Sequence, residues 1–349
     1  MKNKFCILIF ASVVLLSACS TDFQVTGNWK ETMVVYGLLD QSQPKQYIKI
    51  NKAFLGEGNA FTYAQVKDSV QYANALSVTL QRIKNGNNIG APIVLSRDGS
   101  IPKVPGTFYS TDQANAIYSF NSTGANALQD DSQYKLVVRN SDTGVEVSSQ
   151  TGLVKDFGAM SAPSPGAPSY SLISAGNDNY KFIIKFNSGI NARLYQVMIR
   201  LHYTDSTATG TVADSLDWTF PQQTTSGLGG GEVMDFGFIG QDFMKYIGHS
   251  LNDYPALIQR TAGKLDIFVI AAADELNTFI DVNKPSTSIN QEKPEYTNIT
   301  NGLGIFSSRY YKAPVAKVMS GLTLDTLSGG YNTCHLKFLN AAGVWHGCN

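Results

Sequence analysis

The chain has 349 residues, with 27 basic and 27 acidic side chains and a formal net charge of zero. That balance excludes a polybasic binder, because nucleic-acid affinity draws on counterion release at a basic face. Charged residues are only 15%, against about 25% in ordinary soluble domains, while Gly (31) and Tyr (17) are abundant; such a composition suits strands and turns and excludes a coiled coil or a polytopic membrane protein.

At the N-terminus Lys2 and Lys4 precede the apolar run Phe5 to Leu16, too short for a membrane span of about 20 residues. The run closes in Leu16-Ser17-Ala18-Cys19, which resembles a bacterial lipobox. Cleavage before Cys19 removes residues 1–18 as a signal peptide. The Cys19 thiol then takes its lipid, and residues 19–28 form an acylated tether to the membrane. The alternative is an ordinary secretory signal with a chance cysteine. Ser20 follows Cys19 and an aspartate occurs only at Asp22, which points to the outer membrane and leaves the leaflet open.

From residue 29 the pattern is that of strands. Thr32 to Leu39 is a β-branched and apolar run. Tyr47 to Asn51 alternates, with Tyr47, Lys49 and Asn51 on one face and Ile48 and Ile50 on the other. Ala75 to Ile83 alternates again before the Asn85-Gly86 turn signal, and Tyr134 to Arg139 with Val145 to Thr151 reads as a hairpin. These strands predict an immunoglobulin-like or fibronectin-III-like β-sandwich over 29–158. Residues 159–168 carry three prolines and no charge, a linker composition. A second β-sandwich is expected over 169–349, with a hairpin made of Tyr180 to Phe186 and Leu194 to Tyr203 and a buried central strand over Leu265 to Ala271. Phe243, Tyr246, Ile247 and Ser250 behind Asp242, and Leu276, Phe279 and Ile280 behind Asp274-Glu275, predict two short inserted helices.

Cys6 leaves with the signal and Cys19 is acylated, so Cys334 and Cys348 remain as thiols in an oxidising envelope. A disulfide between them would close a short C-terminal loop worth about 3 kcal/mol. His335 and His346 lie just inside these cysteines, but a zinc site wants close cysteine pairs and close histidine pairs, and no metal or other cofactor is expected. Gly248-His249-Ser250-Leu251-Asn252 is one residue short of a nucleophile elbow and lacks the strand that must precede one. Gly227 to Glu232 is glycine-rich but has no phosphate-loop lysine. No catalytic residue stands out, and the chain reads as a non-enzyme. Trp218, in a short strand between Ser/Thr/Gly-rich loops, is the ring best placed to stack on a sugar or peptide.

The segment Tyr296-Thr297-Asn298-Ile299-Thr300-Asn301-Gly302-Leu303-Gly304-Ile305-Phe306 and the opening Val34-Val35-Tyr36-Gly37-Leu38-Leu39 resemble a family: the two-domain outer-membrane lipoproteins that accompany TonB-dependent receptors in gliding and gut-type Gram-negative bacteria. The resemblance covers almost all of the mature chain. Ser307-Ser308-Arg309 stand where the family usually has glycines after Phe306. It implies a place and a partner, a lipid-anchored accessory of a TonB-dependent transporter, and it brings no catalytic residues; an oligosaccharide or peptide ligand is an expectation from the tryptophan and tyrosine rings. Asn298, Asn301, Gly302, Gly304 and Phe306 are then either an ordered loop closing the sandwich core or a docking surface. The alternative function is a fimbrial or adhesin-type surface lipoprotein, and a less favoured one is an envelope hydrolase.

Replacement Cys19→Ala should abolish incorporation of labelled palmitate and leave the precursor uncleaved. Retained label on the variant would remove the lipobox reading.

Overall fold

The structure, a computed structural model, describes residues 31–53, 59–74, 76–104, 115–285 and 295–348; the signal, Cys19 and the tether lie outside these. The fold is mainly β. In the first half, β1 (Met33–Asp40), β2 (Lys45–Lys52) and β5 (Ile117–Asn121) are neighbours, and β4 (Asn87–Asp98), β3 (Ser77–Lys84), β6 (Gln133–Arg139) and β7 (Glu146–Gly152) follow in that order. Two short helices, α1 (Ala60–Gln65) and α2 (Lys67–Val70), sit between β2 and β3. β4 joins the two groups, pairing with β3 as far as Leu95 and with β5 from Ser96 to Asp98.

The alternation read in the sequence is the alternation of faces. Met33, Val35 and Leu39 of β1 and Ile48 and Ile50 of β2 point inward, onto Val78, Leu80, Tyr134, Leu136 and Val138 of the opposite layer. Asn85 and Gly86, both at positive φ, make the tight turn between β3 and β4.

The second half repeats this wiring. β11 (Gly210–Thr219), β10 (Leu194–Thr207), β14 (Gln259–Ala272) and β15 (Leu303–Met319) form one layer, with β8 (Ser169–Tyr170) on β15 and β12 (Gln223–Thr224) on β10. Facing it are β9 (Lys181–Asn187) and β13 (Val233–Ile239), whose Phe182, Ile184, Phe186, Phe236 and Phe238 pack against Tyr195, Val197, Ile199, Leu265 and Ile267. α3 (Gly240–Ser250) buries Phe243, Met244 and Ile247 in this core, α4 (Asp274–Asn283) follows β14, and α5 (Gly321–Gly329) follows β15. β14 lies between β10 and β15, the central position expected of its apolar run.

Three expectations are corrected. β9 and β10 are not a hairpin: β9 pairs with β13, and β10 lies in the opposite layer. Their apolar faces meet across the core, and alternation reveals a strand without revealing its partner. The proline-rich stretch 159–168 is not a free linker. Met160 is buried, and Ala162 bridges Lys185 of β9, because small residues and prolines can lie flat on a sheet edge. The two cores meet earlier, where Leu153 enters the first and Val154 the second.

The third correction concerns the span 169–349, which does not belong wholly to the second core. β15 is 17 residues long, about 55 Å of extended chain. Leu303 to Arg309 runs parallel to β1, whereas Arg309 to Val318 runs antiparallel to β14. One strand thus serves both units and makes a continuous 13-stranded sheet. Ile299 and Phe306 are buried among first-unit residues.

The C-terminal segment is tied down separately. Arg260 is 2% exposed and forks onto Asp205, Nε–Oδ1 2.5 Å and Nη2–Oδ2 2.9 Å. Its ring-facing sides meet Tyr203 and Phe338, and its backbone pairs with Lys337 and Leu339. Cys334 and Cys348 are joined in a disulfide, which uses both sulfurs and leaves none for a metal.

Gly304 is the tightest point of the β1–β15 contact. Its φ is +106°, and a Cβ there would lie 2.0 Å from the Val35 carbonyl oxygen. Gly304→Ala should therefore lower unfolding free energy by about 3–5 kcal/mol, read from the urea midpoint. An unchanged midpoint would show that β15 can leave β1 without loss.

Candidate functional site

The outer face of β1 and β2 presents what their inner face does not use. Tyr36 and Tyr47 point away from the core and are 42% and 37% exposed. Above them lies α4, which opens with Asp274 and Glu275 in its first turn and carries Leu276, Phe279 and Ile280 at helical spacing. No residue of α4 is fully buried. The helix is held on β15 by the Ser307 hydroxyl, which donates to Glu275 (3.2 Å), and beside the start of β10 by Arg193, which pairs with Asp274 (2.8 Å).

Between α4 and the β1–β2 hairpin runs an open groove of about 490 Å³. Its apolar wall is Tyr36, Leu38, Tyr47, Leu276, Phe279 and Ile305; its polar end is Asp40, Gln43, Lys45, Gln46 and Arg309. A second hollow of about 340 Å³ lies on the other side of Tyr36 and Phe279, bounded by Tyr296, Thr297, Leu303 and Glu295. The two rings meet edge to face with centroids 6.3 Å apart and separate the hollows.

The polar end is rigidly built. The Gln46 side chain accepts from the Asp40 amide (2.8 Å) and donates to the carbonyls of Asp40 and Gln43, which locks the turn. Asp40 pairs with Arg309 (3.2 Å) and accepts from the Ser42 amide and hydroxyl. Lys45 pairs with Asp98 (2.7 Å), and its ammonium sits 5.5 Å from the Tyr47 ring centroid. That ammonium, with Ser100 and Ser119, holds the Asp98 carboxyl well below the usual carboxylate range, and Asp98 in turn raises Lys45. Burial, followed by the Glu275 and Asp274 charges, pushes the Tyr296 hydroxyl up.

The structure brings the residues of segment 296–306 together in a latch. The Asn298 side chain imitates a neighbouring strand: its Oδ1 accepts from the Phe306 amide (2.9 Å) and its Nδ2 donates to the Phe306 carbonyl (2.6 Å). Asn301 adopts the left-handed conformation at φ +61°. At Gly302 a Cβ would lie 2.9 Å from the Met33 carbonyl oxygen, and Phe306 is fully buried. The Ser148 amide donates to the Thr300 carbonyl, and the Ser149 hydroxyl to the Asn298 carbonyl. Of these five residues Gly304 alone borders either of the two hollows described above. The Ser308 hydroxyl donates to the Gly152 carbonyl and accepts from the Val154 amide, where the two cores meet.

Trp218 stands apart in the second unit. Its ring is half-buried, stacked on Phe243 (5.2 Å) and Tyr246 (5.6 Å), with Phe238 edge-on at 5.0 Å. Its contacts are those of a packing residue under α3. Ser250 closes α3, and Gly248 is there for close approach, since a Cβ would fall 2.1 Å from the Asn332 carbonyl oxygen. The glycine loop is closed by Glu232, whose carboxylate accepts from the Ser226 amide and hydroxyl and is held below its ordinary value by them. Among the described residues no group of three metal-ligating side chains occurs, and no helix is long and apolar enough to cross a membrane.

Sequence reasoning missed the groove residues Tyr36, Tyr47, Asp40, Arg309 and Phe279. One signal was present: tyrosines at positions 36 and 47 fall on the solvent side of the alternation. The meeting of β1 with Leu276, Phe279 and residues 303–309 had none.

The Lys45–Asp98 pair makes a pH prediction. Asp98 is depressed in the folded state, so its contribution to stability is complete above the unfolded value of about 4 and is lost as pH falls below it. The urea midpoint should drop on acidification from pH 5 to pH 3, and Asp98→Asn should flatten part of that drop. Identical acid slopes for the two proteins would refute the assignment.

No protein-family model matches the chain, and no curated protein matches it. Among solved structures, a chain of a cytokine receptor complex (crystal form 1A) covers 81% of this chain and 95% of its own length, at 9% identity and a TM-score of 0.21, which carries no argument.

Proposed function

We propose that the protein is a non-catalytic, lipid-anchored binding protein of the outer membrane that serves as accessory to a TonB-dependent transporter. The observation that carries the binding role is the groove between α4 and the β1–β2 hairpin. It is preformed and aromatic, and its polar end is held by its own ion pairs and turn hydrogen bonds. The anchor and the membrane rest on Leu16-Ser17-Ala18-Cys19. The transporter rests on the resemblance, whose two segments pair with each other, Val34 opposite Leu303 and Gly37 opposite Phe306. The strand order of each unit supports the immunoglobulin-like or fibronectin-III-like kinship read from the sequence.

The test is purification of the C-terminally tagged protein from native outer membranes in mild detergent. A TonB-dependent transporter at near-equal stoichiometry is expected. A protein that purifies alone would remove the transporter role, and an SDS-resistant self-ladder would favour the adhesin alternative.

A further inference from the structure

We propose that the groove between α4 and the β1–β2 hairpin binds an uncharged oligosaccharide, with Tyr36 and Tyr47 as its stacking surfaces. The inference rests on the reading of the protein as a binding protein and names the ligand class of that site.

The first argument is the placement of the rings. Tyr36 lies opposite Lys49 in the β1–β2 register and Gly37 opposite Ile48, so Tyr47 is the diagonal neighbour of Tyr36 on the outer face, about 7–8 Å away. Two rings at that separation on one sheet face can each receive the C–H face of a separate sugar in a chain. Their backbones lie within a paired sheet, and Tyr36 is buttressed by Phe279 and Tyr47 by Lys45. Little side-chain freedom is lost on binding.

Charge is the second argument. Asp40, Lys45 and Arg309 are the charged groups lining the groove, and each has an opposite partner within 3.2 Å: Asp40 with Arg309, Lys45 with Asp98. An anionic or cationic ligand would find no uncompensated countercharge. The Asp40 carboxylate, the Arg309 guanidinium and the Gln43 amide offer planar donors and acceptors beside the rings, which is what ring hydroxyls require.

The third argument separates a sugar from a peptide. An extended peptide gains affinity by adding to a free strand edge, but β1 lies between β15 and β2, and β2 between β1 and β5. A docked amphipathic helix needs a continuous apolar floor, and this one ends in Asp40, Lys45 and Arg309.

The test uses the full-length mature lipoprotein in detergent, titrated calorimetrically with neutral manno-, malto-, xylo-, cello- and chito-oligosaccharides of about four to six units. At least one series should bind, with affinity rising with chain length. Tyr36→Ala and Tyr47→Ala should each weaken binding about tenfold or more, whereas Tyr331→Ala, at a fully exposed tyrosine of the second unit, should leave it unchanged. Thermal melts confirm that each variant is folded. Absence of binding in every series, or binding indifferent to both tyrosine changes, overturns the proposal. So does a proline-rich peptide that binds in a Tyr36- and Tyr47-dependent way while the sugars do not. Co-purification of the transporter with the Tyr47→Ala protein should be unaltered, so failure here and failure of the accessory role are separately visible.

Discussion

The parallel pairing of β15 with β1 is the contact on which the rest of the architecture depends. It brings Val34–Asp40 beside Leu303–Arg309 and allows two sandwiches to share one sheet. Parallel neighbours need a long crossover, and here it takes in everything from β2 to α4, the rest of the first unit and most of the second. The close approach is possible because two glycines face it. Gly37 leaves room for Ile48 and Phe306, whose side-chain atoms would lie 2.5 and 3.0 Å from a Cβ, while Gly304 lets the backbone turn under Val35. Phe306 then fills the first core from outside its own half of the chain, and the Asn298 amide satisfies the Phe306 backbone on the side where no strand is available.

The groove follows from that geometry. Because β15 starts beside β1 in the first unit and runs on into the second, the helix preceding it in sequence is carried over the β1–β2 face. Nothing buries α4 completely, and its Leu276 and Phe279 form a wall over a floor of outward-facing strand residues. The groove is thus created by the junction of the units, and neither unit owns it.

Strand identity was legible in the sequence because it rests on local alternation: Ile48 and Ile50 against Tyr47 and Lys49 describe β2 without any knowledge of its neighbours. The apolar run around Ile267 and Val269 likewise placed β14 at the centre of a sheet. The short helix starts at Asp242 and Asp274 were legible from charge and spacing. Partnership was not legible. Whether Phe186 faces Tyr195 across a core or beside it in a hairpin depends on contacts between distant segments. The structural role of 298–306 could be suspected from its glycines, but its address on β1 could not. Nor could the packing of Trp218 be read, since its stacking on Phe243 and Tyr246 depends on a helix that follows it by more than twenty residues.

The shared strand also bears on when the molecule can become itself. Arg309 and Asp40 are 269 positions apart, so the first unit lacks a wall of its core until nearly the whole chain has been delivered. Contacts of such separation form late, because the loop between them must be closed before they are rewarded. The N-terminal half therefore condenses around a strand supplied by the far end of the chain.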